Sequence, residues 1–272
     1  MKTKLFSLLI IVLVLSACSS DNSDNSNNTD NSNSTSYFPL NNSNNWVYKY
    51  DSTLTTGRDS IYVSGDTIIS TITHKKIKSL AQPMGFFSNS LRNNGIRMDN
   101  GSLMLNGATG MDFGGNVPLS FPLNDFVIFK ESAVPNAVLS TISGTINQDF
   151  QGYPLTINYV LTSKALESLP TFMAPDGTVY NDIKKVKTTL NLKISTTVTV
   201  PNIPIPIAIT VLGQQDVLVA THYYANNIGM VYTHTDINYQ LEDFSQFSSQ
   251  PLPFPSSGSD SQNEVLDHYV AN

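Results

Sequence analysis

His222, His234 and Asp236 make the strongest local case for a chemical site in this sequence. Two imidazoles and a carboxylate form a ligand set suited to zinc or a similar divalent cation. The three residues lie on alternating segments, 217–224 and 230–239, on either side of the turn signal Asn226-Asn227-Ile228-Gly229. If Tyr224 pairs with Met230 in an unbroken ladder, the even-numbered residues share one face. His222, His234 and Asp236 would then lie beside Tyr224 and Tyr232. A one-residue bulge would scatter them, and the plainer reading is a polar, aromatic outer face with no ligand. The sequence holds no Gly-x-Ser-x-Gly elbow, Walker loop, Gly-x-Gly-x-x-Gly or His-Glu-x-x-His. Acidic pairs such as Glu242-Asp243 and Asp176-Asp182 read as loop residues, with no spacing that sets their separation for glycoside hydrolysis. The expectation is a protein that is not an enzyme and carries no metal or cofactor.

Cys18 is the only cysteine, so neither an internal disulfide nor a multi-Cys metal site can form. It follows a short basic start, Lys2 and Lys4, and a run from Leu5 to Leu15 that is apolar except for Ser7. This run has signal-peptide length and is too short to span a bilayer stably. Leu15-Ser16-Ala17-Cys18 closely resembles the lipobox of bacterial lipoproteins. The resemblance implies cleavage before Cys18, a diacylglyceryl group on its thiol and acylation of the new amine. More than one acyl chain matters, because a single chain holds a protein on a membrane only marginally.

The elements around these residues follow from composition. The chain has 272 residues, 40% apolar and only 13% charged, with a formal charge of −6. The low charge content argues against long salt-bridged helices, and the acidic balance argues against nucleic acid as a partner. After Lys193 there are acidic residues but no Lys or Arg. Ser19 to Ser36 contains only Ser, Asp, Asn and Thr. It has nothing apolar to offset chain entropy, so it reads as a flexible tether with an r.m.s. span of roughly 20–25 Å. The expected organisation is a signal peptide at 1–17, lipidated Cys and tether at 18–36, an antiparallel β domain at 37–244 and a Ser/Pro-rich tail at 245–272.

The body reads as β structure. Val47–Asp51, Arg58–Val63 and Thr67–Lys78 are expected strands, with Ser64-Gly65-Asp66 as a turn. Leu91–Met98 and Ser102–Leu105 flank Asp99-Asn100-Gly101, and Val138–Ile146 and Leu155–Leu161 are joined through Gln151-Gly152. Leu190, Leu192 and Ile194 alternate with Asn191, Lys193 and Ser195, the pattern of a sheet buried on one face. Ser163–Leu169 and Asn263–Val270 read as short helices. Many strands and few helices predict a mainly β fold, as a large curved antiparallel sheet, a half-barrel or a sandwich. Strand length favours the curved sheet. The run from Val200 to Ile207, with Pro201, Pro204 and Pro206, reads as a Pro-protected edge strand or as an apolar lip for a lipid, a protein or the membrane.

Three short segments, Asp51-Ser52-Thr53, Asp59-Ser60-Ile61 and Asp66-Thr67-Ile68, look like O-glycan acceptor sites of some Gram-negative secreted proteins. They make Ser52, Ser60 and Thr67 candidates for modification, although Ser and Thr are equally at home in hairpins. Tyr37-Phe38-Pro39-Leu40 with Asn45-Trp46-Val47-Tyr48 resembles the opening of a group of uncharacterised Gram-negative outer-membrane lipoproteins. Tyr223-Tyr224-Ala225-Asn226-Asn227-Ile228-Gly229-Met230-Val231 and Tyr180-Asn181-Asp182-Ile183-Lys184-Lys185-Val186 resemble later segments of that group. Ser43-Asn44 departs from it where the group has Gly. The resemblance implies a half-barrel-like β domain and supplies no catalytic residues.

These readings converge on an outer-membrane lipoprotein of the cell envelope, held by Cys18, with either membrane face open to it. Its domain would bind or carry a lipid, glycan or peptide. The alternatives are an accessory subunit with an envelope protein partner and, third, an envelope hydrolase.

Overall fold

Among the described residues, alternating apolar and polar positions build twelve antiparallel strands that form one sheet, nearly closed into a barrel. The computed structural model describes residues 36–113, 117–198, 206–243 and 255–272. In chain order the elements are β1 (Asn45–Ser52), β2 (Thr56–Ile69), β3 (Ile72–Ser79), α1 (Phe86–Leu91), β4 (Gly95–Asp99), β5 (Ser102–Phe113) and β6 (Val117–Lys130). There follow β7 (Val138–Phe150), β8 (Tyr153–Met173), β9 (Val179–Val198), β10 (Ile207–Ala225), β11 (Gly229–Gln240) and β12 (Ser257–Val270). The spatial order is β6-β5-β4-β3-β2-β1-β12-β11-β10-β9-β8-β7. Sequence neighbours pair throughout, except that β6 and β7 lie at opposite edges, and β12 also pairs with β1. The mainly β expectation holds.

The sheet has two edges, β6 and β7, and treats them differently. β6 folds back onto the inner face of β8, where the Ser163 hydroxyl donates to the Val127 carbonyl. Phe121 also packs on Tyr159 there, with ring centroids 4.9 Å apart. The outer edge of β7 has no paired strand among the described residues.

The inner face carries the core. Trp46, Tyr48, Ile61, Leu103, Phe126, Ile157, Leu192, Val211 and Tyr224 are all buried. α1 lies inside the barrel, and Phe87 reaches Phe38, Tyr48, His222 and Tyr224 with centroids 5.4–6.4 Å apart. The helix thus fills much of the lumen, and the cavity beside it measures only about 30 Å³.

Antiparallel order divides the turns between two rims. The near rim holds the β2–β3, β4–β5, β8–β9 and β10–β11 turns, the β6–β7 connection and the chain entry at Ser36. The far rim holds the β1–β2 and β7–β8 turns and the segment leading into α1. The ends of β5, β9 and β11 and the starts of β6, β10 and β12 lie there too.

Several expected boundaries are corrected. Ser64-Gly65 is a bulge within β2, where the register shifts and Gly65 takes φ 132°. The turn lies at Ser70-Thr71, both with positive φ, a conformation that neither residue type advertises. Leu91 closes α1, and the strand begins only at Gly95. Ser163–Leu169 is strand, inside β8, with its Ser facing inward to serve β6. Asn263–Val270 is strand as well, with a buried carboxylate at Glu264 and no apolar alternation to mark it. The stretch read as a C-terminal tail therefore supplies a central strand from Ser257 onward. The Pro201–Pro204 part of the expected edge lies outside the described residues. From Ile207 to Val217, β10 pairs with β9 alone, and β11 joins at Leu218.

Candidate functional site

The candidate metal set is taken apart by one bulge. Tyr224 does pair with Met230, but Tyr223 pairs with Tyr232, which leaves Val231 as an extra residue. Inside and outside exchange at that point. His222 faces the lumen and is buried, whereas His234 and Asp236 lie outside, 3.3 Å apart. Tyr232 is outside too, stacked with Phe172 and tilted against Tyr223. Among the described residues no three His, Cys, Asp or Glu side chains are placed to hold a metal.

His222 instead does structural work. The Thr233 hydroxyl donates to the Thr221 carbonyl and so accepts from Nδ1–H, while Nε2 lies 3.2 Å from the Thr188 hydroxyl and accepts from it. Burial pushes its pKa down to about 3, so the ring is neutral at any ordinary pH.

Two buried carboxylates seat α1, and no local sequence signal announced them. Glu264, on β12, accepts from Phe87 N at 2.9 Å, Ser88 N at 3.0 Å and Ser88 Oγ at 2.5 Å. Asp59, on β2, accepts from Met84 N and Gly85 N at 2.9 and 2.7 Å. Together they accept from four amides, those of Met84, Gly85, Phe87 and Ser88, at the start of a six-residue helix. Gly85 is required here by proximity, since a Cβ would sit 2.1 Å from Glu264 Cδ. Burial, against the opposing hydrogen bonds, raises the Glu264 carboxyl to about 7, and burial raises Asp59 as well.

At the far rim this seated segment forms one wall of a cleft of about 580 Å³. Pro83, Met84 and Phe86 face Met111 of β5, Leu218 of β10, Ile237 and Tyr239 of β11, and Gly258, Ser259 and Gln262 of β12. Asp112 and Asp260 also line it, and none of its described lining residues is Lys or Arg. Such a mixed, acidic wall suits a ligand with apolar and hydrogen-bonding parts and no negative charge.

At the near rim the three segments that resemble the lipoprotein group meet. Phe38 stacks on Trp46 at 4.5 Å, and Trp46 Nε1 donates to the Ile228 carbonyl at 2.6 Å. Gly229, at φ 119°, leaves room for that indole. Asn227 N donates to the Ser36 carbonyl at 2.8 Å, Asn226 donates to Asp182, and Lys184 lies over the Tyr37 ring. Residue types alone did not say that these distant segments form one contact.

Leu15, Ser16, Ala17 and Cys18 lie outside the described residues. Among the glycan candidates, Ser52 Oγ accepts from Leu54 N and Thr55 N in the β1–β2 turn. Ser60 and Thr67 lie on β2, half-buried, and the Asp59 that precedes Ser60 is the one seating α1.

No protein-family model matches the chain, and no curated protein matches it. Among solved structures it is similar to one described as a "putative lipoprotein from Parabacteroides distasonis ATCC 8503". The two share 12% identity over 87% of this chain and 99% of that one, with a TM-score of 0.37. Likeness at that level carries no functional assignment.

Proposed function

We propose that the protein is an outer-membrane lipoprotein, anchored through Cys18, whose barrel is a non-enzymatic binding module. The cleft at the far rim carries this reading. The lumen is filled by α1 and cannot enclose a sizeable ligand, whereas the cleft at its mouth is open and several hundred Å³ in volume. Its mixed lining favours a peptide or glycan over a bare acyl chain, and its acidic residues favour a neutral or cationic one. The lipobox resemblance supports the anchor.

Native mass spectrometry of the lipidated protein, purified from its own host, tests the reading. A non-covalent adduct is expected, and it should be lost from Met111→Trp, which fills the cleft. A mass equal to the lipidated polypeptide alone, or an adduct that survives the substitution, would overturn the assignment.

One observation favours the accessory-subunit alternative. β7 runs from Val138 to Gln148 without Pro or any charged residue, so its free edge has none of the usual protection against strand pairing. On that reading an envelope protein co-purifies with the wild type and is lost from Thr145→Lys, with the cleft unaffected.

A further inference from the structure

The near rim exposes apolar side chains on one turn after another. Ile68 and Ile72 flank the β2–β3 turn, with Ile68 at 73% exposure. Met98 precedes the β4–β5 turn, and Val134 lies in the β6–β7 connection. Met173 and Val179 flank the β8–β9 turn at 68% and 59% exposure. Turn tips are normally polar, so apolar tips repeated along one rim point to an apolar partner.

The chain itself says which partner. The described residues begin at Ser36, pinned to Asn227 on this same rim. The contacts of Phe38, Trp46 and Tyr37 fix that point of entry. Only Ser19 to Thr35 separates it from Cys18. A flexible stretch of that length has an r.m.s. span of roughly 20–25 Å. It therefore holds the rim near the anchor at an effective concentration around millimolar, where individually weak contacts suffice.

From this geometry we infer that the near rim rests on the bilayer that holds Cys18, with its apolar tips in the interfacial layer and the cleft facing away. The inference rests on the anchoring reading above. Lys130 and Lys184 lie toward this rim, but so do Glu131, Asp176 and Asp182, so the attraction is chiefly apolar. The far rim is the less suitable face for an anionic membrane. Leu54 is exposed there, but Asp112, Asp149, Glu242 and Asp260 accompany it.

The test uses full-length lipidated protein in vesicles of phosphatidylethanolamine and phosphatidylglycerol. Met173→Cys and Val134→Cys each carry an environment-sensitive dye at the near rim, and Leu54→Cys carries it at the far rim. All three sites are exposed, so folding is not at stake, and acylation blocks the Cys18 thiol. Brominated acyl chains should quench the near-rim dyes several-fold more than the dye at position 54. Equal quenching at the two rims in protein that floats with vesicles would overturn the inference and leave the anchor standing. Failure of wild-type protein to float would overturn the anchoring reading and this inference with it.

Discussion

The two rims of the barrel are built from the same antiparallel strands and held by different physics. At the near rim the chain entry is fixed by aromatic stacking and main-chain contacts, with Phe38 on Trp46, Trp46 on Ile228 and Ser36 on Asn227. At the far rim a short helix is held inside the lumen by two buried carboxylates, Asp59 and Glu264. The first arrangement rests mainly on groups that do not titrate. The second places ionisable groups where water cannot reach them, and so ties the cleft wall to protonation. A barrel can thus have a passive end for attachment and a conditional end for binding.

The largest expected effect concerns attachment. Cys18→Ala should move the protein from the membrane fraction to the soluble fraction, read by fractionation and by loss of acyl label. Retention of the variant on the membrane would remove the anchor from the comparison.

Phe87→Ala should cost about 3–5 kcal/mol in denaturant unfolding, because it empties the centre of the lumen. Gly229→Ala, at the near rim, should cost less, about 1–3 kcal/mol, through backbone strain and crowding of the Trp46 indole. The reverse order would mean that the entry contact, rather than the helix, organises the fold.

Protonation sharpens the contrast. The folded Glu264 carboxyl stands near 7 against an ordinary 4.5, so the unfolded chain ionises first. Its contribution to stability is full below pH 4.5 and falls as pH rises toward 7. The folded His222 ring stands near 3 against an ordinary 6.5, so the unfolded chain takes up the proton first. Its contribution is full above pH 6.5 and falls as pH drops toward 3. Between pH 4.5 and 6.5 the two slopes oppose, each at most about 1.4 kcal/mol per pH unit. These two contributions should therefore nearly cancel across that window, leaving the raised Asp59 carboxyl to favour the acid side. Glu264→Gln should expose a stability that rises with pH, and His222→Gln one that falls with pH. Parallel profiles for the two variants would contradict the assigned protonation states.

The smallest effect is an expected absence of response. With His222 inside and His234 and Asp236 outside, zinc should leave the thermal midpoint of the wild type unchanged and no different from that of His222→Ala.

Much of the strand architecture was legible because alternation and turn chemistry are local. Leu190, Leu192 and Ile194 face inward as their spacing predicts, and Asn100-Gly101 and Gln151-Gly152 turn the chain with positive φ. What could not be read depends on distant partners. α1 forms because carboxylates from β2 and β12 meet its first amides. β12 carries no apolar alternation, since Ser257 to Glu264 is polar or Gly throughout and Val265 and Leu266 are adjacent. The candidate metal face is split by a single extra residue, Val231, which no turn rule locates. The cleft is likewise assembled from segments far apart in sequence.

Hydrogen exchange on the lipidated protein, free in detergent and then in vesicles, reads both rims at once. The account predicts that vesicles slow exchange at the 69–72, 132–137 and 174–178 turns and leave 82–86 and 255–260 unchanged. Slowing at the cleft segments with no change at the near-rim turns would contradict it.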